Sequence, residues 1–115
     1  RTFPRFSEPH RSKNSDLLEK TKAIAENHKC TTAQLALAWT LSQDSTSVPI
    51  PGTINEHHLK DNFDAASIEL SEETMKQLNE IFLPKNISGP RYSEAAQATV
   101  STERFDFESD LISQK

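Results

Sequence analysis

SVPIPGTINEHHLKDN, at residues 47–62, passes from an apolar run with a proline on either side of Ile50, through one of only two glycines, into a polar helical pattern. Val48 and Ile50 favour extended backbone, so a short strand is expected at about residues 48–51, although Pro49 and Pro51 each remove a ladder donor. Gly52 permits a sharp turn or a close backbone approach. Thr53 or Asn55 is suited to cap a helix reaching about Phe63. A glycine turn feeding a helix start exposes unpaired N–H groups and the positive end of the dipole, which suits a phosphate. On that helix Asn55, His58 and Asn62 fall at i, i+3 and i+7 beside Leu59 and Phe63, setting polar groups next to apolar contacts as an adenine and ribose need. An ordinary capped helix has the same pattern, and on spacing alone it is the favoured reading.

Upstream, residues 1–12 hold Pro4, Pro9 and several charges without periodicity and read as a loop. From Ser12 or Asn14 to His28, Leu17, Leu18, Thr21, Ile24 and Ala25 recur at helical spacing. KCTTAQLALAWTLSQ follows, with Thr31 or Thr32 as N-cap of a helix over 32–42. Leu35, Ala38 and Trp39 form one stripe, and Ala33, Ala36, Leu37 and Leu41 make the other faces apolar, so this helix is expected to be buried. Downstream, Ser71 caps a helix to Phe82, with Glu72 and Glu73 in its first turn and Met75, Leu78, Ile81 and Phe82 as its stripe. Beyond Phe82 the pattern stops. A weak helical patch at 95–100 precedes an acidic end, and residues 101–115 are expected to be mobile.

The 115 residues fit one ordinary domain or a piece of a larger one. The chain opens on Arg1 rather than Met, which leaves room for an upstream segment. Hydrophobic content of 34% and a mean hydropathy of -0.67 are low for a compact fold. No run has the apolar length of a signal peptide or membrane span, and Cys30 is the single cysteine, so a reduced, cytoplasmic setting is the expectation.

Several chemistries are excluded on residue type. The net charge is -4, and residues 31–59 contain no Lys or Arg, so the two consecutive helices cannot act as a DNA-reading pair and no nucleic-acid partner is expected. His57 and His58 are neighbours pointing in different directions, and no set of side chains has metal-ligand spacing. No G-x-S-x-G elbow and no G-x-G-x-x-G loop is present.

TTAQLALAWTLSQ (31–43), VPIPGT (48–53), an Asn nine positions after Thr53, and IELSEE (68–73) together resemble the C-terminal part of aldo-keto reductases, in particular the auxin-induced-like and pyridoxal-reductase-like branch. FPRF (3–6) and GPRYSEAA (89–96) are similar to that branch too. The resemblance implies an α/β fold, the C-terminal fragment of a (β/α)8 TIM barrel, mostly helical with one short parallel strand. Residues 1–92 would belong to the reductase domain and 93–115 to a partly disordered tail.

By the same likeness, NADP(H) would be the cofactor and a small carbonyl compound the substrate of the intact protein, an oxidoreductase. Gly52 and Thr53 would lie at the adenosine phosphate, His58 and Asn62 near the phosphate or adenine, and Asp61 beside them. Two departures qualify this. Many members carry a Lys or Arg at this loop, whereas Lys60 here lies off the inferred face, so the resemblance carries no preference for NADPH over NADH. The family's acid-base set, an Asp, a Tyr, a Lys and a His, precedes the region matched. Tyr92 matches the RY of the family's C-terminal segment, so no residue here is assigned to catalysis. The expectation is a cofactor-binding end, inactive alone; the alternative is a non-catalytic helical interaction fragment.

Overall fold

A computed structural model describes residues 3–97 and residue 99. Within them the α-helices are α1 (His10–Asn27), α2 (Thr32–Leu41), α3 (Glu56–Asp64), α4 (Glu72–Ile81) and the short α5 (Glu94–Gln97). Single 3-10 turns occur at Pro4–Phe6, Ala65–Ser67 and Pro84–Asn86. The expected mobile stretch 101–115 lies outside the described residues. No described helix is long and apolar enough to cross a membrane.

The caps explain most of the boundaries. At α2, Thr31 Oγ1 accepts from the Gln34 N–H at 3.1 Å while Gln34 Oε1 accepts from the Thr31 N–H at 3.0 Å, a reciprocal capping box that satisfies two donors at the helix start. Ser71 Oγ accepts from the Thr74 N–H at 3.1 Å and so starts α4. Glu72 and Glu73 occupy the first turn, where the dipole favours them. α1 starts earlier than the pattern predicts, because the Arg11 N–H reaches Ser7 O at 2.9 Å and the Glu8 carboxylate accepts from the Ser12 hydroxyl at 2.7 Å.

α1 ends in a Schellman motif: Cys30 N–H donates to Ala25 O and Lys29 N–H to Glu26 O, both at 3.0 Å. Lys29 holds the left-handed position at φ 53°, where a β-carbon is strained. Lys29→Gly is therefore expected to stabilise the chain by about 1 kcal/mol. A rise in the urea midpoint at constant m-value is the check.

The chain divides into two compact units, one from Glu19–Ile81 and one from the described parts of Arg1–Leu18 and Phe82–Lys115. In the first, Thr21 and Ala25 of α1, Leu35 and Ala38 of α2, Ala65, and Thr74 and Leu78 of α4 are buried. The spacing of each pair is one helical turn, as an inward stripe requires. Polar links cross this unit: Trp39 Nε1–H and Gln43 Nε2–H both donate to Asn79 Oδ1, at 2.8 and 3.1 Å. In the second, Asn14 accepts from the Ser88 N–H at 2.8 Å and donates to Ser88 O at 2.9 Å, so it ties the start of α1 to the 87–90 loop.

Two expectations are corrected. Residues 47–51 form no strand, and none is formed among the described residues. A strand needs a ladder partner, and Pro49 and Pro51 offer no N–H to recruit one. Val48 and Ile50 are accordingly 79% and 91% exposed. Nor is α2 buried all round: Leu35 and Ala38 are covered, while Ala33, Ala36 and Leu41 face solvent.

Candidate functional site

The approach to α3 begins at Asp44. Its carboxylate accepts from the Thr46 hydroxyl and N–H at 2.6 and 2.7 Å and from the Ser47 N–H and hydroxyl at 2.8 and 2.9 Å. The Thr46 and Ser47 hydroxyl bonds foremost hold its pKa down at about 2. This brace turns the chain into residues 47–52, which run with neither helix nor ladder.

Gly52 does not take a left-handed φ, and a β-carbon there meets nothing within 4 Å. What the glycine leaves is open space beside the backbone just ahead of a helix start. Thr53 Oγ1 accepts from the Asn55 N–H at 3.0 Å. Asn55, in extended conformation, then accepts from the N–H groups of His57 at 2.9 Å and His58 at 3.4 Å, which makes it the N-cap of α3. Thr53, Asn55 and the first amides of α3 thus form one hydrogen-bonded unit.

Along α3, His58 and Asn62 lie one turn apart, as do His57 and Asp61, whose Nε2 and Oδ2 are 3.6 Å apart. His58 is exposed; Asp61 and Asn62 are half-buried. Lys60 Nζ contacts Asp64 Oδ2 at 2.5 Å, and this bond raises the lysine's pKa. The nearest lysine is thereby held toward the far end of the helix. The residues present fit a phosphate received by backbone amides and neutral side chains, not one clamped by an ion pair. No group of three or more metal-ligating side chains occurs among the described residues.

The structure thus joins Thr53 to the helix start and sets His58, Asp61 and Asn62 along α3, with Gly52 just ahead. The spacing argument overlooked Gln34, whose Nε2–H donates to Asp61 O at 3.2 Å. The T-x-x-Q of its capping box was a readable signal for the residue but not for this second bond.

The profile of the Aldo/keto reductase family matches residues 2–82. A probable aldo-keto reductase 1 of Glycine max is 37% identical over 92 residues, which cover 80% of this chain and 27% of that protein. The NADP(+)-labelled aldo-keto reductase yakc of Schizosaccharomyces pombe is 35% identical over 100 residues, covering 87% of this chain and 29% of that protein. The chain therefore spans less than a third of the length of either relative. On the span and identity of these matches, the chain belongs to the aldo/keto reductase family.

Proposed function

We propose that this chain supplies the cofactor-binding portion of an NADP(H)-dependent oxidoreductase that reduces aldehydes or ketones to alcohols. The observation that carries the reading is the hydrogen-bonded start of α3, lying inside the family match and preceded by an unobstructed glycine. Gly52 lets the phosphate approach the backbone, Thr53 shapes the turn, and His58, Asp61 and Asn62 line the helix beside it. The bound cofactor supplies hydride. The residues of this chain orient its phosphate end, and the group that protonates the carbonyl oxygen comes from outside these 115 residues. The 115 residues alone turn over no carbonyl compound.

Gly52→Ala tests the placement, because its β-carbon meets no protein atom within 4 Å yet stands in the path of the phosphate. In the full product of the reading frame that contains this chain, the Kd for NADPH is expected to rise about tenfold, roughly 1.4 kcal/mol, with no change in Tm. An unchanged Kd removes the phosphate from this turn, and a wild-type titration flat to millimolar NADPH ends the cofactor reading.

A second reading, a non-catalytic helical interaction fragment, is favoured by the exposure of Val48, Ile50, Leu59 and Phe63. Concentration-dependent sedimentation of the chain with helicity retained is its signature.

A further inference from the structure

We infer that Gln34 is a positioning residue that sets the pose of α3, and with it the residues at the start of that helix. The inference rests on the cofactor reading only for its consequence, not for the contact itself. Gln34 Oε1 accepts from the Thr31 N–H at 3.0 Å and from the Thr31 hydroxyl at 3.2 Å. An oxygen is required there, so the amide cannot be flipped, and Nε2 is left to reach Asp61 O at 3.2 Å. That carbonyl also accepts from the Ala65 N–H at the end of α3 and so uses its second lone pair. One half-buried side chain thereby closes the cap of α2 and grips the last turn of α3.

The grip matters because α3 lies only shallowly against α2. None of its residues is buried. Its anchor is Ala65, directly after it, which is fully buried in the turn that packs on α2. The helix is therefore fixed at its C-terminal end and extends about 13 Å to a start that buries nothing, at 1.5 Å per residue. A small rotation at Asp61 becomes a larger displacement at Asn55 and His58, where the amides must meet a phosphate. His58 and Asn62 move with the same lever.

Gln34→Glu separates this role from capping. Glu is as good as Gln at the third position of a capping box and is favoured by the dipole in a first turn. The α2 cap is therefore kept, while the donor to Asp61 O is replaced by an oxygen. If Gln34 only caps α2, the variant behaves as wild type. The expectation is that amide exchange across residues 56–64 accelerates about three- to tenfold, with the first turn of α2 unchanged. In the full product of the reading frame, the Kd for NADPH rises by a similar factor without loss of kcat at saturating cofactor. Exchange in α3 at the wild-type rate overturns the inference. Faster exchange in α3, together with no NADPH binding by the wild type, leaves the positioning role standing and sinks the cofactor reading alone.

Discussion

Leu35→Ala is expected to cost about 3–4 kcal/mol and to leave the Glu19–Ile81 unit without a cooperative transition. Leu35 is wholly inaccessible to solvent, and only Leu78 matches it as a large side chain so completely enclosed among the described residues. The other buried positions of this unit, Thr21, Ala25, Ala38, Ala65 and Thr74, are small. A core of that composition has few atoms to collapse into the space a truncated leucine leaves, so the cavity term is felt almost in full. At ~0.05–0.15 kcal/mol of stability per residue, a unit of this size has only a few kcal/mol to lose. Trp39 reports the outcome, since its Nε1–H is tethered to Asn79 across the unit. Its emission is expected to shift red without a sigmoidal urea transition. Phe63→Ala, at a side chain 81% exposed, is the control and is expected to change stability by less than about 0.5 kcal/mol. Equal losses for the two variants would mean that Leu35 does not carry the core.

That contrast shows where sequence reasoning reaches and where it stops. Capping is local, so the start of α2 at Thr31 and of α4 at Ser71 could be read directly from residue types and spacing. The start of α1 lies ahead of the expected Ser12 or Asn14 because the residues around Pro9 carry no periodicity to mark it. Pro9 lies just ahead of the helix, where a missing N–H costs nothing. Burial is not local. The pattern of α2 is apolar on every face, yet which faces are covered depends on what packs there, and only the Leu35 and Ala38 stripe finds partners. The strand expected at Val48 and Ile50 failed for the same reason, since a ladder belongs to two segments and a propensity to one.

The candidate site divides along the same line. A cap at Thr53 or Asn55 was legible because it acts within three positions, and the structure gives it to Asn55, with Thr53 holding the Asn55 N–H. The bond from Gln34 to Asp61 spans 27 positions and exists only because α2 and α3 pack side by side. The two glycines exchange the roles that their sequence contexts suggest. Gly52, set between proline and a helix cap, needs no special conformation, whereas Gly89, in a stretch without periodicity, does.

Gly89→Ala is expected to cost about 2–3 kcal/mol in the unit that holds the start of α1 and the 87–90 loop. Gly89 has φ +83°, in the left-handed region, where a β-carbon costs roughly 1–2 kcal/mol by itself. The added carbon also lands 2.7 Å from His10 Cγ and 2.9 Å from Cδ2, inside van der Waals contact. The ring is not free to swing aside at no cost, because His10 Nδ1 and Ser88 Oγ are hydrogen-bonded at 2.8 Å. Moving it forfeits that bond, about 1 kcal/mol. The Arg5 Nε–H, which donates to Gly89 O at 2.9 Å, is strained by any backbone shift that relieves the clash instead. A double-mutant cycle with His10→Ala divides the cost. Once the ring is gone, Gly89→Ala should lose only the backbone part, about 1–2 kcal/mol, and hydrogen exchange at Asn14 and Ser88 should report the recovery. The same loss in both backgrounds would show that the imidazole does not rest on Gly89. With the clash confirmed, the glycine is required by the partner packed on it and by its φ together, and neither alone accounts for the penalty.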